Sequence, residues 1–192
     1  MPQMAAANEF IFGVGAHFAF DPKRGYLPET QRPHIADLGV RSFRDEVVEG
    51  VFTVAEPEHP LGRRLDRLNT MLLERGARAV LILRGRQLAS TPVPREVPTS
   101  PRETELFANF ASRVVSATRP FDPIYEIWNE WNMGWRPRKP VLGPLGLVSE
   151  NPDHSPENYV TVARATYQAV KAAYPEALVL TGAIGDDDGW AW

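Results

Sequence analysis

The sequence predicts an α/β fold, a partial TIM (β/α)8 barrel of about five strands and four helices, with the C-terminal strands missing. Three observations predict it. Short apolar runs rich in β-branched residues alternate with longer amphipathic runs, the pattern of parallel strands joined by right-handed helical crossovers. The first strand runs through GVGAHF into FDPKRG, without the glycine-rich turn that opens a helix in a dinucleotide-binding doubly wound sheet. Polar residues gather at the C-terminal ends of strands one, two and four, the rim where barrels of this kind place their sites.

Taken in order, Phe10 to Phe18 is apolar, aromatic and glycine-containing, a buried strand. A helix over Pro28 to Leu38 follows, stopped by Gly39. Val40 to Val48 reads as the second strand, with Arg44, Asp45 and Glu46 towards its exit. Leu61, Leu65, Leu68 and Leu72 fall at helical spacing within Leu61 to Arg75, and Gly76 then separates that helix from a third strand over Ala77 to Gly85. A proline-rich loop from Ser90 leads to Ser100, Pro101 and Glu103, an N-cap with a capping box that starts a helix running to about Ala117. Pro123 to Asn132 is the fourth strand and its exit. Met133 to Asn151 reads as a long loop, of a length that is usually functional or disordered. Ser155 to Ala173 is a further helix, and Ala177 to Gly185 the fifth strand.

Composition narrows the function. The chain has 192 residues, 43% of them hydrophobic and 23% charged, the balance of one globular domain with a core of its own. A net charge of -3 without runs of either sign argues against a nucleic-acid partner. With no cysteine there is no disulfide and no thiolate metal site. The opening MPQMAAANEF lacks the basic and apolar regions of a signal peptide, and no run approaches the roughly 18 apolar residues of a membrane span. A chain that stays in the cytoplasm and has no membrane partner is the expectation.

The strongest chemical signal is YEIWNEWN, Tyr125 to Asn132, where an apolar strand ends in adjacent Asn129 and Glu130. This string resembles the Asn-Glu signature that ends the fourth strand of clan A retaining glycoside hydrolases, particularly the group around families 39 and 5. The resemblance implies that Glu130 is the general acid/base and that Asn129 hydrogen-bonds the sugar hydroxyl beside the reacting carbon. The chemistry suits the pair: a carboxylic acid delivers and recovers a proton, and a fixed amide makes a hydrogen bond that strengthens in the transition state. Trp128, Trp131 and Trp135 would supply the aromatic walls that raise a carboxyl pKa.

Further matches extend the likeness over roughly residues 10 to 185. FGVGAHF resembles the first strand, with His17 at its exit as a candidate ligand to sugar hydroxyls. LGVRSFRDEV resembles the second, where the resemblance makes Arg44 the arginine that holds the catalytic carboxylates, with Asp45 or Glu46 as its partner. YVTVARATYQAVKAAYPEALVLTGAIG is similar to the fourth helix and fifth strand. Two departures stand out. The third-strand exit, LILRGRQLA, lacks an aromatic and asparagine pattern, and the nucleophile implied by the resemblance, a Glu on the seventh strand, lies beyond Trp192. A full barrel takes about 250 residues, so residues 1–192 are expected to form a single incomplete domain that self-associates through open edges and does not hydrolyse alone.

Other residues have plainer readings beside the functional one. Glu126 shares strand parity with Trp128 and is expected to be a satisfied buried ion. Trp131 and Trp135 are expected to stack on flat apolar sugar faces, although such tryptophans also serve as packing. Asp186 to Asp188 lack the alternate spacing of a calcium loop, and His34, His59 and His154 have no partner at metal-ligand spacing, so neither metal nor cofactor is expected. The substrate class is an oligo- or polysaccharide. The rival from another class is a catalytically inactive carbohydrate-binding barrel remnant, which product formation from any oligosaccharide would exclude.

Overall fold

The computed structural model of the chain describes residues 13–18, 28–48, 78–85, 97–131, 141–143, 146–148 and 154–183. In chain order these form β1 (Gly13–Gly15), α1 (Pro28–Asp37), β2 (Ser42–Val48), β3 (Arg78–Arg84), α2 (Pro101–Thr118), a short 3-10 turn (Arg119–Phe121), β4 (Ile124–Asn129), β5 (Val141–Gly143), β6 (Gly146–Val148), α3 (Pro156–Ala173) and β7 (Leu178–Ala183). The helix expected over 61–75 lies outside the described residues.

Five strands form one wholly parallel sheet in the order β1-β2-β3-β4-β7. Apart from the β5–β6 pair, that order is the order of the chain. A doubly wound sheet reverses direction at a switch point, whereas a barrel adds each strand beside the last. The expected α/β barrel arrangement is therefore the one observed. One expectation is corrected: within the supposed loop 133–151, β5 and β6 pair as an antiparallel ribbon.

Strand alternation divides the sheet into two faces. Phe43 and Val47 of β2, with Ala79, Leu81 and Leu83 of β3, join a buried cluster with Phe107, Phe110, Ala111, Val114 and Val115 of α2 and Val162 and Val170 of α3. Each such side chain contributes roughly 1.5–3 kcal/mol relative to exposure, so this helix-facing layer holds the fold. The intervening positions, Arg44, Glu46, Ile82 and Arg84, face the other side of the sheet.

Local signals set the helix ends. Gly39, at φ +66, ends α1 where a side chain would be strained. Ser100 caps α2 with a complete capping box, its hydroxyl accepting from the Glu103 N–H while the Glu103 carboxylate accepts from the Ser100 N–H at 2.9 Å. Ser155 caps α3 by accepting from the Asn158 N–H. Thr118, at the end of α2, shares a 2.8 Å hydrogen bond with the Tyr125 hydroxyl and so docks that helix on β4. At the far edge, Leu178 and Leu180 of β7 are 49% and 47% exposed. Their register with Ile124 and Glu126 puts them on the face opposite the helices. Among the described residues no helix is long and apolar enough to cross a membrane.

Candidate active site

The candidate site is built at the exit of β4, and its geometry begins with a broken alternation. Plain period-two spacing would put Glu126 and Trp128 on one face and Asn129 on the other. Instead Trp128 adopts a left-handed backbone at φ 70, and Glu130 does the same at φ 51. Trp128 therefore packs on the helix side, with ring centroids 5.5 Å from Phe107 and 5.0 Å from Trp131. Asn129 turns to the face of Glu126 and Arg44. Glu126 is the buried, satisfied ion that was expected, but its parity with Trp128 is lost. Non-glycine residues in this region cost about 1–3 kcal/mol each and persist where their surroundings hold them.

Two residues outside β4 accommodate the kink. Gly182 of β7 lies so close that an added Cβ would stand 2.6 Å from the Ile127 carbonyl oxygen and 2.7 Å from that of Trp128, so only glycine fits. The Tyr159 hydroxyl of α3 accepts from the Gly182 N–H at 2.6 Å and donates to the Ile127 carbonyl at 3.1 Å. Beyond the kink, the Glu130 N–H donates to the Ala183 carbonyl at 2.7 Å.

Electrostatics centre on Arg44. Its Nε and one terminal nitrogen grip both Glu126 carboxylate oxygens at 2.7 Å, a bidentate pair. The same terminal nitrogen donates to Asn129 Oδ1 at 2.7 Å. That bond fixes the orientation of the amide. Glu126 also accepts from the Ala183 N–H at 2.9 Å. The bond to Glu126 raises the Arg44 pKa above its ordinary value; burial opposes this, while the negative fields of Glu126, Glu46 and Glu130 add to it. Arg44 is a permanent cation here. Asp45 and Glu46 were its expected partners, and neither fills that role. Alternation sends Asp45 to the opposite face, where it is 1% exposed and accepts from the Glu46 N–H at 2.7 Å. Glu46 pairs instead with Arg84 at 2.8 Å.

The remaining expected residues divide. Glu130 is exposed at the rim, and Asn129 is half-buried beside it. His17 is exposed just past the end of β1, which the parallel topology places on the same rim. Trp131, expected as a sugar-stacking face, is 4% exposed. Its ring packs on Trp128, His154 and Tyr159, and its indole N–H donates to the Ser155 carbonyl at 3.2 Å, so it serves as packing. Trp135 and Asp186 to Asp188 lie outside the described residues, as does His59. His34 is exposed, and His154 is buried with Nδ1 2.9 Å from the Trp131 carbonyl. Among the described residues no group of three or more His, Cys, Asp or Glu could hold a metal ion. Tyr159, Gly182 and Glu126 are the parts that sequence reasoning assigned no place in the site. The only signal for them would have been a positive φ at Trp128, which side-chain patterning does not carry.

Consecutive parallel order with a polar rim at the strand exits is the arrangement of the (β/α)-barrel class, and solved structures share that fold with the chain. A family 39 glycoside hydrolase from the gut symbiont Bacteroides cellulosilyticus WH2 superposes with a TM-score of 0.58 at 15% identity, over 88% of this chain and 31% of its own. Thermotoga maritima Cel5A in complex with cellobiose gives 0.58 at 13% identity, over 93% of this chain and 57% of its own. The virulence factor SghA of Agrobacterium tumefaciens gives 0.59 at 13%, over 88% and 46%. The likeness establishes the fold, and the chain spans from under a third to somewhat over half of these proteins' length. Neither a family profile nor a curated relative matches the chain.

Proposed function

We propose that the chain carries the acid/base half of a retaining glycoside hydrolase site that cleaves O-glycosyl bonds of an oligo- or polysaccharide. Glu130 protonates the leaving oxygen and then deprotonates the attacking water. Asn129 donates to the sugar hydroxyl next to the reacting carbon, and Arg44 fixes the Asn129 amide while neutralising Glu126. The observation that carries this reading is the Arg44–Glu126–Asn129 network, which turns Asn129 and Glu130 onto the rim of a consecutively ordered parallel sheet. A retaining mechanism also requires a second carboxylate about 5 to 5.5 Å from the first. We assign that nucleophile to the seventh strand of a complete barrel, two strands past β7, which is the fifth strand of this sheet, and so outside these 192 residues. The half-exposed Leu178 and Leu180 on the inner face of β7 support a following strand that covers them.

The test is turnover of aryl glycosides by the 192-residue chain and by its reading frame extended through a seventh strand. Hydrolysis is expected only from the extended protein. There Glu130→Gln should lower turnover of substrates with poor leaving groups by about 10² to 10⁴-fold, and of dinitrophenyl substrates by much less. Equal loss on both would make Glu130 structural, and burst kinetics from the 192-residue chain as a monomer would overturn the missing nucleophile. A second reading, sugar binding without turnover, is favoured by one observation: the inward carboxylates Glu46 and Glu126 are both tied to arginines. Oligosaccharide binding by the extended protein with no product from any aryl glycoside would select it.

A further inference from the structure

We infer that Tyr159 is the positioning residue of the Asn129–Glu130 pair, its hydroxyl inserted between β4 and β7 so that Trp128 stays left-handed and both residues stay turned to the rim. The functional consequence rests on the glycosidase reading above; the structural mechanism does not.

The two strands are in register at Ile127 with Thr181 and again at Asn129 with Ala183. Between these levels β7 turns two N–H groups to side chains. Gly182 donates to the Tyr159 hydroxyl at 2.6 Å, from the helix side, and Ala183 donates to Glu126 Oε1 at 2.9 Å, from the inner side. The tyrosine hydroxyl passes the contact on to the Ile127 carbonyl at 3.1 Å. The kink is thus braced on both faces, by Tyr159 outside and by the Arg44–Glu126 pair inside. Burial raises the Tyr159 pKa, the Gly182 bond opposes this in part, and the Glu126 charge adds to it, so the hydroxyl keeps its proton to donate.

Without that hydroxyl, the Gly182 N–H and the Ile127 carbonyl would each lose a partner in a largely buried seam. The strands satisfy both most simply by shifting against each other, and Trp128 loses the restraint that keeps it in a costly backbone region. Trp128 is not free to move outward alone, since its ring is 2% exposed and packs at steep angles against Phe107 and Trp131. The displacement is therefore expected to fall on Asn129 and Glu130, the next two residues along the chain.

The experiment compares wild-type, Tyr159→Phe and Gly182→Ala proteins by amide hydrogen exchange with NMR. In Tyr159→Phe the Gly182 and Glu130 amides should exchange about tenfold or more faster, the Asn129 side-chain amide resonances should move, and the core amides of Leu81 and Val115 should hold their protection. Gly182→Ala, which forces the same seam from the other strand, should move the same Asn129 and Glu130 signals and serves as the reading should Tyr159→Phe not fold. Unchanged Gly182, Asn129 and Glu130 signals in the folded variants would overturn the inference. In a protein that turns over aryl glycosides, Tyr159→Phe should lower kcat about 10²-fold for poor leaving groups, with KM little changed and dinitrophenyl substrates affected less. A uniform loss across leaving groups would reduce Tyr159 to a folding residue and overturn the positioning role. If the protein extended through the seventh barrel strand hydrolyses nothing while the Gly182 and Glu130 amides of Tyr159→Phe still respond, the joint stands and the acid/base reading falls.

Discussion

The two ends of the sheet use the same chemistry for different ends. At the C-terminal rim Arg44 grips Glu126 at 2.7 Å, with side-chain exposures of 38% and 5%. At the N-terminal end Arg78 meets Asp122 at 3.2 Å, with exposures of 34% and 46%, and the Tyr174 hydroxyl donates to the same aspartate. Each end also carries left-handed backbone. At the N-terminal end it falls on Asp122, at φ 48, a residue type that tolerates the region. At the C-terminal rim it falls on Trp128 and Glu130, which do not, and it is held there by Gly182, Tyr159 and Glu126. Barrels of this kind keep chemistry at one end and stability at the other. The difference teaches that the sign lies less in the ion pair than in the buried carboxylate and the strain beside it.

The comparison breaks most sharply at Arg44. Arg44→Met leaves the Glu126 charge nearly buried with only the Ala183 N–H, and removing one partner of a buried pair costs about 3–5 kcal/mol. The exposure of Arg44 puts the expected loss at the low end, about 3 kcal/mol, read from urea unfolding. Arg44→Met with Glu126→Leu should recover most of that loss, because the stranded charge is gone. A double variant as unstable as the single one would mean that Arg44 stabilises by packing and that the pair is incidental.

A smaller effect belongs to the capping box that starts α2 after the third strand. Ser100→Ala should cost about 1 kcal/mol. Burial by itself would raise the Glu103 pKa, but hydrogen bonds from the Thr99 N–H and hydroxyl and from Ser100 outweigh it and leave the carboxyl below its ordinary value. A depressed carboxyl stabilises the fold above its unfolded pKa, about 4.3, and that stability is lost as pH falls through the folded value. Glu103→Gln should therefore be less stable than wild type at pH 7 and indistinguishable from it once Glu103 is protonated in both states. A gap that persists at pH 2 would show that shape, not charge, holds this cap.

Much of this was legible from residues alone. Ser100, Pro101 and Glu103 announce a helix start because each satisfies a specific backbone group, and Gly39 marks a stop because it alone takes φ +66 without strain. Asn129 and Glu130 were legible as a motif, and Arg44 as its companion. Arg44's partner was not, because Glu126 lies 82 residues away and only the sheet register brings the two together. Period-two spacing puts Trp128 on the wrong face because it assumes extended backbone throughout, and Trp128 is left-handed. Trp131 suggests a sugar platform in sequence because an aromatic side chain looks the same there whether it faces a ligand or packs on Trp128 and Tyr159. Tyr159 has no local signal at all: its hydroxyl matters only because two strands part beside it.

The smallest effect is expected at the N-terminal end, and it completes the contrast. Arg78→Ala removes the exposed Asp122 pair and a 3.0 Å bond from Arg78 Nε to the Asp122 carbonyl. Exposed pairs contribute about 0.2–1 kcal/mol and are screened by salt. The loss on Arg78→Ala should therefore stay below about 1 kcal/mol and shrink further in molar sodium chloride, where the Debye length falls to roughly 3 Å. The Arg44→Met loss should barely respond to salt, because it comes from a carboxylate stranded away from solvent. Unfolding both variants in urea at low and high salt separates the two ends in one experiment. If Arg78→Ala proves as costly and as salt-insensitive as Arg44→Met, the two ends are equivalent structural clasps, and the distinction that supports the proposed site at the C-terminal rim is lost.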